Sequence, residues 1–109
     1  MGRESIGEFE QLVLLAVMRL DEEANGMSIL DEIKERTGRR VLRPAVYVAL
    51  RRLEEKGLVA GSAGPSTPAR GGRPKKSYRL TAAGLVAVRS ARRALMAMWT
   101  GFESALDKP

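Results

Sequence analysis

A chain of 109 residues, 44% of them hydrophobic, can close one core but not two. Cysteine and histidine are both absent, which excludes disulfides, thiolate nucleophiles, zinc sites built on those ligands and the usual general base, so neither an enzyme nor a cofactor is expected. The formal net charge of +6 hides an asymmetry: residues 1–35 hold nine acidic and three basic side chains, residues 36–93 two acidic and fifteen basic, a middle region suited to a polyanion, nucleic acid ahead of an anionic membrane.

Residues 5–20, SIGEFEQLVLLAVMRL, place Ser5 as a cap with Glu8 three positions on, the spacing of a capping box, and predict a helix. Phe9, Leu12, Val13, Ala16, Val17 and Leu20 form its stripe, while Leu14, Leu15 and Met18 make it apolar on nearly every side. Such a helix needs cover on two sides. The core supplies one, and a second subunit, met by Leu14 and Met18, the other. A polar turn over 21–26 leads to a half-exposed helix with Met27, Leu30 and Ile33 inward, Asn25 as its cap and Gly38 just past its end. Residues 39–42, RRVL, leave room for a brief extended segment only. The amino-terminal residues lack a basic start followed by an apolar run, and no stretch reaches the roughly 18 apolar residues of a bilayer span, so a cytoplasmic protein with no membrane partner is expected.

The stretch 43–59, RPAVYVALRRLEEKGLV, reads as a short helix running into a strand. At the helical period Val46, Ala49, Leu50 and Leu53 form a core stripe; Pro44, Tyr47, Val48 and Arg51 fall opposite, with Arg43 before them and Arg52 beside them. A solvated face would carry Glu and Lys pairs, whereas this one suits contact with a partner. Pro44 fits the first helical turn and Gly57 the stop. Strand patterning begins at Leu58 and returns at residues 77–80, SYRL. Between them lies GSAGPSTPARGGRPKK, a long loop that reads as a hairpin tip carrying Arg70, Arg73, Lys75 and Lys76 rather than as a plain linker.

Thr81 caps the last element, one helix to residue 106, in which Leu85, Val88, Arg92, Leu95, Trp99, Phe102 and Leu106 step by threes and fours as in a coiled coil, with Met98 in a parallel line of small or flexible residues. So long a helix projects beyond a small core, and a second copy is its simplest partner. Met96 and Trp99 at helical spacing read as plain dimer core.

Helix, helix, short strand, helix and a two-stranded basic hairpin is the order of a winged helix-turn-helix, with residues 44–56 as recognition helix. The fold class is mostly α with a small β-hairpin: a winged helix-turn-helix domain over 1–80 and a long C-terminal dimerisation helix over 81–109. Base selection then rests on Tyr47, Val48 and Arg51, and the hairpin cations hold phosphates.

The segments GEFEQLVLLAVMRL, PAVYVALRRLEEKGLV and RGGRPKKSYRLTAAG, in this order, resemble the PadR-like transcriptional regulators over nearly the whole chain. The resemblance implies a homodimer joined by its C-terminal helices, acting as a repressor at a palindromic operator in double-stranded DNA, with Tyr47, Arg73, Lys75 and Lys76 as DNA contacts; some relatives bind small hydrophobic compounds, which makes Met96 and Trp99 candidates for an effector pocket between paired helices, with dimer core the reading favoured over it. The chain departs from the family in its recognition-helix cap, where Leu42 and Arg43 supply no acceptor. Two other classes fit the charge: an architectural DNA- or RNA-binding protein without sequence choice, and a winged-helix protein-interaction module, which would not need the basic wing.

Overall fold

The computed structural model describes residues 6–66 and 74–107. In chain order the elements are α1 (Glu8–Leu20), a 3-10 turn (Asp21–Glu23), α2 (Gly26–Thr37), α3 (Arg43–Glu55), β1 (Val59–Ser66), β2 (Pro74–Leu80), α4 (Ala82–Trp99) and α5 (Glu103–Leu106). Ser5 lies outside the described residues; α1 starts with Gly7 as cap, its N–H donating to Glu10 Oε1 at 3.3 Å. Asn25 caps α2 through Oδ1, which accepts from the N–H groups of Met27 and Ser28 at 3.1 Å each, while Ser28 Oγ accepts from Asn25 N–H at 2.9 Å. Gly38 ends α2 and Gly57 follows α3, both at positive φ (70° and 77°), the left-handed backbone that favours glycine.

Three helices and the hairpin share one core. Val13, Leu14 and Val17 of α1, Ile29 and Ile33 of α2, and Val46, Leu50 and Leu53 of α3 are buried together, with Val59 and Tyr78 closing the side toward the hairpin. The expected inward stripe of α3 is therefore the observed one. β1 and β2 are antiparallel, Val59 opposite Leu80 and Ala63 opposite Lys76, with a register shift between Ala63 and Ser66. Much of the expected loop is thus strand, which carries the hairpin out from the core.

Three expectations are corrected. Residues 39–42 form no strand; the hairpin instead takes its third edge from residues 24 and 25, where Tyr78 N–H donates to Ala24 O at 2.9 Å and Ser77 bridges to Asn25. Val41 is partly buried against the core and the Leu42 carbonyl accepts from Ala45 N–H, so this short run is used up in starting α3. Leu14 is not on an intersubunit face: it is fully buried in the chain's own core, and Leu15 and Met18 are the apolar residues that α1 leaves outside. Finally, the C-terminal element is not one helix. α4 ends at Trp99, Thr100 turns extended and Gly101 takes φ 98°, so Phe102 and Leu106 belong to α5 and the heptad line breaks between them and Trp99.

α4 is anchored over its first two turns. Thr81 Oγ1 accepts from Gly84 N–H at 3.0 Å and donates to Gly57 O at 2.7 Å, and Thr81 N–H donates to Leu58 O at 3.1 Å. Gly84 is the one buried residue of the helix, with the Leu58 carbonyl and Leu80 filling the space a Cβ would need. Beyond Val88 the helix leaves the core. The whole is a winged helix-turn-helix with a projecting C-terminal arm, and no helix among the described residues is long and apolar enough to cross a membrane.

Candidate nucleic-acid interface

The core fixes the inner face of α3, and that decides what its outer face presents. Arg43, Pro44, Tyr47, Val48, Arg51 and Arg52 are all exposed, as the helical phase requires once Val46, Ala49, Leu50 and Leu53 are buried. Among the described residues, Arg43, Arg51 and Arg52 have no carboxylate within ion-pair distance, whereas Arg36 pairs with Glu32, Arg39 with Glu8 and Lys56 with Glu10. The Lys56 pair (3.2 Å) ties the end of α3 back to α1. The outer face thus offers three uncommitted guanidinium groups around an aromatic and a β-branched residue.

Tyr47 is more constrained than its position on a wheel indicates. It is 44% exposed, yet its ring lies against the backbone of Gly26 at the start of α2, in the space a Cβ there would fill. The glycine is therefore a seat that aims the phenol along the surface shared by α2 and α3. By sequence alone residue 26 ends a turn; its contact with Tyr47 joins positions 21 apart on successive helices, and the available signal is a glycine in the first turn of a helix, where its low propensity has a cost.

The hairpin presents a different arrangement. Arg70 and Arg73 lie outside the described residues, and Lys75 lies in β2. Lys76, expected on DNA, shares a strand face with buried Tyr78 and partly buried Leu80. Its Nζ is 3.2 Å from Glu54 Oε1 and 5.5 Å from the centre of the Tyr78 ring, and its stem crosses Gly61. Burial pushes the Tyr78 phenol above its ordinary value of 10.0; Lys76 opposes this, and Glu54 and Tyr47 add to it. Glu54 falls on the same side of α3 as Tyr47 and Arg51, three residues after the arginine, and was not singled out from the sequence although the wheel places it there.

The residues expected between subunits divide. Leu85 and Val88 are half-buried within the single chain, Val88 against its core. Met18, Arg92, Leu95, Met98, Trp99, Phe102 and Leu106 are exposed, Met98 at 77% and Trp99 at 50%, values high for side chains of this size. Met96 lines an open depression of about 570 Å³ with Arg89, Arg92, Arg93, Ala97 and Thr100, along one side of α4 and its C-cap.

The PadR-like transcriptional regulator family model matches residues 14–90. Among solved structures, a PadR family transcriptional regulator from Eggerthella lenta is 26% identical, covering 94% of this chain and 88% of its own, with a TM-score of 0.70. A PadR family transcription regulator from Clostridium difficile is 21% identical over 92% of this chain and 99% of its own, TM-score 0.73. A PadR-like transcriptional regulator from Bacillus cereus is 19% identical over 93% of each, TM-score 0.71. No curated protein sequence matches the chain. The family's pattern runs from the core of α1 through the arginine-faced helix and the hairpin to the middle of α4, and with that span matched the protein belongs to the PadR-like family of DNA-binding transcriptional regulators.

Proposed function

We propose that this protein is a sequence-specific repressor that binds a palindromic operator in duplex DNA as a homodimer, from the cytoplasm, with residues 1–80 as the DNA-binding unit and 81–109 as the dimerising one. The observation that carries the reading is the outer face of α3, where Arg43, Arg51 and Arg52 stand around Tyr47 and Val48 without acidic partners among the described residues. A major groove admits one α-helix, arginine reads guanine, and apolar side chains read the thymine methyl group. Arg70, Arg73 and Lys75 of the hairpin supply phosphate contacts. Dimerisation is supported by the exposed line of Leu95, Met98, Trp99, Phe102 and Leu106 together with Leu15 and Met18 of α1, apolar surface that one chain leaves in water. Arg92 in that line reaches Glu103 or Asp107 of an antiparallel partner or turns to water at the rim, since a lone buried guanidinium is costly. Repression follows from occupancy, a dimer across a promoter excluding the polymerase.

The test is selection of duplexes from a random pool, followed by titration of the selected sequence against a scrambled one. A palindromic consensus bound at least a hundredfold more tightly than the scramble is expected, with reporter transcription falling when the consensus overlaps a promoter. Equal affinity for both duplexes assigns the protein to the architectural class instead. Met96 and Trp99 are read as dimer core, so no hydrophobic effector is needed for binding.

A further inference from the structure

Glu54 is one of only two acidic residues among positions 36–93, a stretch that carries fifteen cations. It stands on the side of α3 that faces the nucleic acid in the proposed function, and this inference rests on that reading. An unpaired carboxylate there repels phosphate. It is not unpaired: Glu54 Oε1 holds Lys76 Nζ at 3.2 Å. An exposed ion pair is weak by itself, but two further restraints act on the same lysine. Its stem crosses Gly61, its Cε filling the space a Cβ would take, with the second Glu54 oxygen beside it, and its ammonium lies 5.5 Å from the ring centre of Tyr78. Tyr78 is itself fixed, buried and donating its N–H to Ala24 O. Strand alternation puts Lys76 with Tyr78 and Leu80 on the core-facing side of β2.

We propose that Glu54 is a specificity-determining residue acting through Lys76: it holds the lysine on the inner face of the hairpin, and so withholds one cation per protomer from the sequence-independent attraction to phosphate. Glu54 is here a positioning residue, and Lys76 takes no part in the DNA contact. Nonspecific binding scales with the number of phosphates neutralised, so each cation kept back weakens binding to random DNA while leaving base contacts alone. The arrangement raises discrimination without adding a contact to the operator.

Three variants separate the possibilities: Glu54→Gln, Lys76→Met and the double, with Lys76→Gln as a second neutral form should the methionine melt early. Each is measured against operator and random duplex from 50 to 300 mM salt. Glu54→Gln is expected to steepen the salt slope by about 1 per protomer and to tighten random-duplex binding about fivefold per protomer near 150 mM salt, with a smaller gain on the operator. Lys76→Met is expected to gain nothing over wild type, its bared Glu54 carboxylate repelling phosphate, and the double variant to return to the wild-type slope. A shallower slope for Lys76→Met that the double variant retains overturns the inference, because Lys76 then exchanges Glu54 for phosphate. A double variant as steep as Glu54→Gln also overturns it, because Glu54 then acts by its own charge. Wild-type protein that binds no duplex fails the DNA-binding reading and this inference with it, whereas wild-type binding with either of those slopes fails this inference alone.

Discussion

Arg51 stands one turn beyond Tyr47 on the exposed side of α3. The chain's Asn and Gln are Asn25 and Gln11, both outside α3 and the hairpin, so adenine is not read there by a bidentate amide and arginine to guanine carries most of the base choice. Arg51→Ala is expected to flatten discrimination at one symmetric base position by about 1–3 kcal/mol, read from titrations of single-base operator variants. An equal loss on operator and random duplex makes the residue a phosphate contact instead. Gly26→Ala tests the seat of Tyr47: the new methyl displaces the phenol, and operator affinity should fall about tenfold, the scale of one charge-assisted hydrogen bond of about 1.5–3 kcal/mol, with little change in melting temperature. At Tyr78 the folded chain holds the phenolic proton more tightly than the unfolded chain, because burial dominates over the Lys76 charge. That contribution is fully present below the ordinary phenol value of 10.0 and is lost as pH rises through the higher folded value. Melting temperatures of wild type and Tyr78→Phe measured from pH 9 to 11.5 should therefore converge or cross as the wild type loses stability. Individual residues differ in how legible they were. The α3 stripe was readable because polar neighbours give the period a phase; in α1 nearly every position is apolar, so no phase exists and Leu14 could not be told from Leu15. Glu54, Lys76 and Gly61 meet only once the hairpin folds onto α3.

At the scale of elements, turn and cap chemistry was legible where it is local: Asn25, Gly38, Gly57 and Thr81 each act within four residues of their own position or at the helix they bound. Edges of sheets are not local. The run over 39–42 has strand composition, yet the hairpin pairs with residues 24 and 25, a choice made by where α1 and α2 deliver the chain. The heptad count across α4 and α5 failed for a related reason, since periodicity continues through Thr100 and Gly101 although the backbone does not. Thr81→Ala removes the N-cap acceptor of α4 and its bond to Gly57 O; about 1–2 kcal/mol of stability should go with it, seen as a lower melting temperature. Truncation after Ala91 tests the arm. Gly84 and Val88, the residues of α4 that touch the core, remain, so the chain should fold, sediment as a monomer and lose operator selectivity. A truncated dimer that still selects its operator places the interface elsewhere.

The whole molecule measures 54 × 37 × 21 Å, and its charge is as unequal as its axes. Acidic α1, the 3-10 turn and α2 sit in a chain whose middle is strongly cationic, so the field orients the protein before contact. A dimer making about six to ten phosphate contacts should lose on the order of a thousandfold or more in affinity between 50 and 200 mM salt. A flat titration across that range rejects the nucleic-acid reading. The Thr81 hydroxyl has a further consequence at this scale. It bonds Gly57, just past the recognition helix, on one side and the start of α4 on the other, and among the described residues no apolar side chain of α4 past Val88 packs against the core. The eleven residues past Val88 to Trp99, at about 1.5 Å each, make a free arm of about 16 Å. In the proposed dimer the two arms meet, and the seat of α4 becomes the fulcrum of a lever: a swing of about 10° past Val88 shifts an arm's far end by roughly 3 Å, close to the roughly 3.4 Å between successive bases of one strand. The spacing between half-sites is then a length the arm measures, and whatever bends the arm retunes which operators fit.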